Sequence, residues 1–262
     1  MPEAYFVTSG YYTAGGAGSG VATSTPGDSF QVPSFAIGSP AFIDSIWVQG
    51  ASTDWISIKS PKMHDNNQGI RLRTGGTQQR NLMPGSAAQL MYPVDNPTIT
   101  IDETGAATGA ISLVYRFTDL PGISPRLAAW PDISSRIKAI SGVDVALGAG
   151  AAIGAYSAGN AINSTFDNFQ AGSDYALLGY LAATAGLTLA VQGQDTGNVK
   201  VGGPLSTDPL LTANWFADQA AEQGVPYIPI IAANNKGSTN VYQVANSAIA
   251  AQTVTLIMAE LQ

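Results

Sequence analysis

The second half of this chain repeats the order of the first, and that echo constrains the possible folds more than any other feature. Phe35 through Gly38-Ser39 corresponds to Phe169 through Gly172-Ser173 at an offset of 134. Each marker leads into an apolar run, Phe42-Ile43-Asp44-Ser45-Ile46-Trp47-Val48 in one copy and Tyr175-Ala176-Leu177-Leu178-Gly179-Tyr180-Leu181 in the other. Further on, Leu82-Met83-Pro84 matches Tyr227-Ile228-Pro229 at 145, and Ile111–Phe117 matches Thr255–Leu261 at 144. A period this long belongs to duplicated modules, because solenoid units are far shorter. The offset grows along the chain, so the second copy carries an insertion. With 262 residues, the chain has room for two units of roughly 130 residues, each large enough for its own core.

Within each copy, short runs of β-branched and aromatic residues are broken by Gly, Pro, Asn and Asp at intervals of about 8 to 12 positions, the rhythm of a sandwich or barrel. The expected strands of the first copy are Phe30–Phe35, Phe42–Val48, Trp55–Lys59, Ile70–Arg73, Gln89–Tyr92, Thr98–Asp102 and Ala110–Thr118. Those of the second are Thr165–Phe169, Ala176–Leu181, Leu187–Gln192, Val199–Val201, Ile228–Ala232, Asn240–Val244 and Gln252–Glu260. Strict alternation in Trp55-Ile56-Ser57-Ile58 and Thr98-Ile99-Thr100-Ile101 gives every second residue to a core.

Two helices interrupt this pattern. Pro131-Asp132 followed by Ile133, Ile137 and Ile140, with Gly142 beyond, predicts a short amphipathic helix between the copies. Leu211, Trp215, Phe216 and Ala220 form one stripe of a second helix over about 208–223, stopped by Gly224-Val225-Pro226, and this helix accounts for the insertion. Residues 10–29 are almost all Gly, Ala, Ser and Thr and read as an arm or long loop. The expected organisation is therefore an arm over 1–28, a first β-sandwich over 29–125, a helical linker over 126–142 and a second sandwich over 143–262.

Only 11% of the residues are charged, against about 25% in typical soluble proteins. A surface so poor in charge can be covered by copies of itself without stripping many ions of water. The net charge is −7, and residues 141–262 hold 2 basic and 8 acidic groups. That balance argues against nucleic acid as the main ligand, which requires Lys and Arg in number. Lys59, Lys62, Arg71, Arg73 and Arg80 fall in one loop-like stretch, open to two readings: a solvated loop, or a contact with an acidic neighbouring subunit. Cysteine is absent, which removes disulfides, thiol nucleophiles and sulfur-ligated zinc. No run reaches the length of a membrane span, and Met1-Pro2-Glu3-Ala4-Tyr5 lacks the features of a secretory signal, so synthesis in the cytosol is expected.

The motifs that could carry chemistry each read more simply as structure. Asp195-Thr196-Gly197 resembles the aspartic-protease loop, but its partner loop is missing in the first copy, so a tight turn is expected. Gly148–Gly154 after Val143–Leu147 imitates a dinucleotide-binding turn without the helix that must follow, leaving a linker or a first strand of the second copy. Ala155-Tyr156-Ser157-Ala158-Gly159 is a degenerate nucleophile elbow, yet His64, the only histidine, precedes the serine instead of following it. Asp95, Asn96, Asp102 and Glu103 could offer oxygens to calcium but lack EF-hand spacing. Trp47, Trp55, Trp130 and Trp215 read as core or interface anchors. No catalytic, cofactor or metal site is expected, and the chain is not expected to be an enzyme. An alternative role, a carbohydrate- or cell-surface-binding module, would draw on Tyr227, Tyr242, Asn234 and Asn235.

Tandem antiparallel sandwiches, low charge, no cysteine, a small-residue arm and a helix inserted between strands together resemble the tandem (double) jelly-roll capsid proteins of tailless double-stranded DNA viruses. The resemblance implies an all-β fold of two jelly-roll-like domains with two short helices. It also implies a self-assembling virion subunit made in the host cytoplasm, whose partners are copies of itself in a trimer with pseudo-hexagonal edges, alongside other virion proteins. Short loops here leave little room for the tower-like insertions of larger members.

Overall fold

The computed structural model describes residues 4–13, 20–22, 41–49, 53–59, 70–73, 92–94, 98–103, 108–117, 126–150, 156–162, 170, 172–182, 187–202, 215–245 and 250–262. The chain is mostly antiparallel β-sheet with few short helices. In the first half run β1 (Ala4–Thr13), β2 (Gly20–Ala22), β3 (Ala41–Gln49), β4 (Thr53–Lys59), β5 (Ile70–Arg73), β6 (Tyr92–Val94), β7 (Thr98–Glu103) and β8 (Thr108–Phe117). A short strand β9 (Leu127–Ala128) and helix α1 (Trp130–Ser134) follow. The second half has β10 (Ile137–Leu147), β11 (Asn160–Ala161), β12 (Asp174–Ala182), β13 (Leu187–Gly193), β14 (Gly197–Gly202), helix α2 (Trp215–Gln223), β15 (Ile228–Ala232), a 3-10 helix (Ala233–Ser238), β16 (Asn240–Ala245) and β17 (Gln252–Leu261).

Both halves wind their strands in the same order. In the first, one sheet runs β1-β8-β3-β6 and the other β2-β7-β4-β5; in the second, the sheets run β10-β17-β12-β15, extended by β9, and β11-β16-β13-β14. Counting strands within each half gives 1-8-3-6 and 2-7-4-5 twice. The match extends to an irregularity. The β3–β8 ladder skips Asp44 between Ile43 and Ser45, and the β12–β17 ladder skips Leu178 between Leu177 and Gly179. These two bulges stand at the same offset as the Phe-Gly-Ser markers of the sequence, and a bulge is a specific feature of a strand and not a defect.

Aligning the halves on these bulges corrects two of the sequence matches. Tyr115 and Met258 oppose the residues just before each bulge, so β8 and β17 correspond at 143 and not 144. One residue in a strand exchanges its two faces, so the difference matters. The counterpart of β15 is β6 (Tyr92–Val94), which pairs with β3 as β15 pairs with β12; Leu82-Met83-Pro84 lies outside the described residues. The insertion is also not one block. The β14–β15 connection over 203–227, which contains α2, is longer than its counterpart over 74–91, whereas the turn over 194–196 is shorter than its counterpart over 60–69.

Alternation explains the strands. Val143, Val145 and Leu147 of β10 are buried between exposed Gly142, Asp144 and Ala146, and Val254, Leu256 and Met258 repeat the pattern on β17. These join Leu189, Val191, Val199 and Val241 from the second half's other sheet in one core. β12 is buried from Tyr175 through Tyr180 because α2 packs against it from the other side. Phe216, Ala217 and Ala220 carry that packing, with the Phe216 ring 5.8 Å from that of Tyr227. Gly224, at φ +67°, ends the helix in a conformation that costs other residues dearly, and its N–H donates to Ala220 O at 2.9 Å.

Three expectations change. The N-terminal arm is not an arm over its first stretch, because Ala4–Thr13 is β1, paired along its length with β8; Tyr5-Phe6-Val7 and Tyr11-Tyr12 supply the β-prone residues. The linker helix ends at Ser134, and Ile137–Leu147 is a strand, so the helical linker over 126–142 is half strand and the second half's sheet begins at 137, not 143. Ile137, Ile140, Val143 and Val145 are β-branched, and ladder bonds to β17 outweigh a weak helical period. Lastly, Lys59, Arg71 and Arg73 stand on β4 and β5 and not in a loop; Lys62 and Arg80 lie outside the described residues. The strands expected at Phe30–Phe35 and Thr165–Phe169 also lie outside them.

Candidate functional site: the seam and the two ends of the second half

The densest polar cluster fastens the segment between the halves to the second half. Arg126, just before β9, donates from Nη1 to Asp174 Oδ1 at 2.6 Å at the head of β12, and its Nε lies 3.4 Å from Asp195 Oδ1. Asp195 sits in the turn joining β13 to β14 and is 6% exposed. Its Oδ2 accepts from the Ala232 N–H at 3.0 Å and from Asn235 Nδ2 at 2.8 Å. Asn235 O in turn accepts from the hydroxyls of Ser238 and Thr239. One carboxylate thus ties a hairpin turn, the end of β15 and the 3-10 helix to the incoming chain. β9 completes the fastening by pairing with β15, where Tyr227 N–H donates to Ala128 O at 3.1 Å.

The opposite end of the second half is closed by a neutral amide. Gln243 of β16 is fully buried, a position tolerable only if each polar atom is paired. Its Nε2 donates to Gly148 O and to Ala250 O, and its Oε1 accepts from Gln252 Nε2 at 2.7 Å. Ser157 Oγ accepts from Gln243 N–H at 3.1 Å. Beside it, Gly159 passes so close to Tyr242 that a Cβ there would overlap the ring and the Val241 carbonyl, and the Tyr242 ring meets Tyr156 edge-on at 5.5 Å.

Near the seam, Lys138 of β10 and Glu260 of β17 pair at 2.8 Å, and Ser173 Oγ also reaches Glu260 at 3.2 Å. The hydrogen bond from Lys138 holds the Glu260 carboxyl below the ordinary carboxylate range. A depressed carboxyl stabilises the fold above its unfolded value of about 4.3 and loses that contribution as pH falls through the lower folded value. Glu260→Gln is therefore expected to lower the melting temperature slightly at pH 7, where the carboxylate is held ionised, and to flatten its fall below about pH 4.5, so that the two curves draw together in acid. A melting curve series from pH 3 to 7 with the same acid limb in both proteins would contradict this.

The sequence motifs resolve as follows. Asp195-Thr196-Gly197 is the expected turn, with a buried fastening role that its sequence did not announce. Val143–Leu147 is part of the second half's first strand, and Gly148 lends its carbonyl to Gln243 instead of ringing a phosphate. Ser157 is occupied with backbone partners, accepting from Gln243 N–H and donating to Ala158 O. Asp102 and Glu103 close β7; His64, Asp95 and Asn96 lie outside the described residues. Trp47 and Trp55 fall on β3 and β4, Trp215 opens α2, and half-buried Trp130 packs against the core. Tyr227 is 1% exposed beneath α2, Tyr242 is half-buried, Asn234 is exposed and Asn235 is bound to Asp195.

Among the described residues, no three His, Cys, Asp or Glu side chains gather where they could hold a metal ion, and no helix is long and apolar enough to cross a membrane. What the geometry presents is a set of fastenings at the seam and at both ends of the second half. No protein-family model matches the chain, nor does any curated protein or solved structure.

Proposed function

We propose that the chain is two jelly-roll sandwiches in tandem and that it serves as a self-assembling structural subunit, a building block of a virion shell. The observation that carries this reading is the repeated strand order, 1-8-3-6 in one sheet and 2-7-4-5 in the other, present in both halves with a bulge at the same step. Eight strands folded in two interleaved Greek keys make a jelly roll, an architecture used by viral capsids and lectins among others. Low charge supports the capsid branch. With 11% charged residues, the exterior can be covered by sister molecules at little desolvation cost. The architecture-level resemblance supplies the rest: paired sandwiches let three chains offer six similar edges and tile a closed surface, with other virion proteins as neighbours.

The test is the state of the purified protein in solution. Size-exclusion chromatography with light scattering is expected to give a defined oligomer, and electron microscopy to give rings, tubes or shells. A single-chain mass at every salt and protein concentration would end the proposal.

A further inference from the structure

β10 leaves one side of its backbone open. It is the outermost strand of its sheet, and among the described residues no strand pairs with it on the side away from β17. Two hydrogen bonds near its end show which amides face that way. The Ala146 carbonyl accepts from Asn160 Nδ2, and the Gly148 N–H, two residues on, donates to Ala158 O at 3.0 Å. Backbone groups of an antiparallel strand alternate between its two sides, so Ile140, Gly142 and Asp144 turn theirs the same way. The first half agrees. Tyr5 pairs with Arg116 and Ile140 with Ala259, partners that correspond at 143, and Tyr5 donates its N–H away from its own ladder to Pro226 O at 3.0 Å.

The open run is bounded, and its side chains complement themselves. A register shift between Ile137 and Ala139 interrupts it at one end, and Asn160 caps it at the other. Between these limits Ile140 is 58% exposed, an unusual state for a large β-branched residue in mid-strand, and Gly142 is exposed beside it. Half-buried Ile257 stands opposite Gly142 on β17 and shares its face. Turned about a two-fold axis at Ser141, the strand meets a copy of itself antiparallel, with Ile140 across from Gly142. Each isoleucine then lies over the other copy's glycine, where no side chain obstructs it, and reaches Ile257. Each Lys138 comes level with the other copy's Asp144, an attraction that requires neither to leave its partner in the chain, Glu260 or Thr255. An axis at Gly142 would instead set Ile140 against Asp144. One at Val143 would need the Ala146 carbonyl that Asn160 holds.

We infer that two copies of the chain join edge to edge through β10, antiparallel about Ser141, with Ile140 of each copy covering Gly142 of the other. One sheet then runs unbroken across the pair, and Ile140 and Gly142 exchange N–H···O bonds on both sides of the axis. The contact is isologous and closes on itself, so it makes pairs, and growth beyond a pair uses a different surface. It rests on the self-assembly proposed above and gives that reading its two-fold contact.

A cysteine on the axis reads the contact out, since the native sequence has none. Residues opposed there form a non-hydrogen-bonded pair with Cα atoms about 4.5 Å apart, within the range a disulfide spans. Ser141→Cys is therefore expected to link to itself under mild oxidation and to run at twice the chain mass without reductant. Ile140→Pro removes the outward N–H and none of the bonds to β17, and it is expected to slow that linking by about tenfold or more. Should the proline variant lose the wild-type circular dichroism, Ile140→Lys, a change at an exposed position that natural sheet edges use against pairing, takes its place with the same expectation. An assembled protein in which Ser141→Cys stays unlinked, or links as fast with the Ile140 change as without it, overturns the edge pairing and leaves self-assembly standing. A wild-type protein that is a single chain at every concentration defeats the broader reading, and this contact with it.

Discussion

Asp195→Ala is expected to lower the unfolding free energy by about 3 kcal/mol, the sum of two hydrogen bonds to a charged acceptor at roughly 1.5 kcal/mol each. The Ala232 N–H is buried and has no water to turn to, and Asn235 loses the partner that orders the 3-10 helix. The ion pair with Arg126 adds little to this figure, because the arginine side chain is 38% exposed and solvent screens such pairs. Asp195→Asn keeps an acceptor oxygen and is expected to cost about half as much, and an uncharged replacement of Arg126 under about 1 kcal/mol. Denaturant melts of the three variants check the order. An alanine variant within about 1 kcal/mol of wild type would mean that the turn is held by its backbone alone.

Phe216→Ala is expected to be at least as damaging, at about 3 to 5 kcal/mol, since it empties a fully buried aromatic site beneath α2. Phe216 is 1% exposed and packs on Tyr227, itself 1% exposed, at the start of β15. The effect extends beyond the cavity. β12 owes the burial of its outward residues to α2, so loosening the helix uncovers a strand that is otherwise dry on both faces. Limited proteolysis within 215–227 is expected to accelerate together with the loss of stability, and unchanged cleavage would show that the helix docks without its phenylalanine.

Much of this fold is legible in the residues. β5 and β15 fall at the expected bounds, and β3, β4, β7, β8, β12, β13, β14, β16 and β17 lie close to them, because β-branched, aromatic and other apolar runs bounded by turn residues mark a strand whether one face or both are dry. The strands that escaped notice are those with weak patterns. β1 carries Thr8-Ser9-Gly10 in its middle, and β10 places isoleucines at helical spacing beside a proline that does start a short helix. Spacing alone cannot rank a weak helical period against a full ladder supplied by a strand at the far end of the chain. The same limit hid the fastening at Arg126. Asp195-Thr196-Gly197 announces a turn, but the arginine that reaches it stands far back in the chain, and nothing local in either segment names the other.

The paired bulges at Asp44 and Leu178 have a cost as well as a use. Each acts as an index mark that lets its strand dock in only one alignment, guarding against slippage. Because both marks sit at the same step, they offer no help in telling one half's strands from the other's, and β3 carries the same notch for β17 as for β8. Tandem units with interchangeable pairing rules invite crossed threading during folding. The safeguard lies in divergence: Tyr115-Arg116-Phe117 stands where the other copy has Met258-Ala259-Glu260. The faintness of the sequence echo is thus part of what keeps the two halves from exchanging strands.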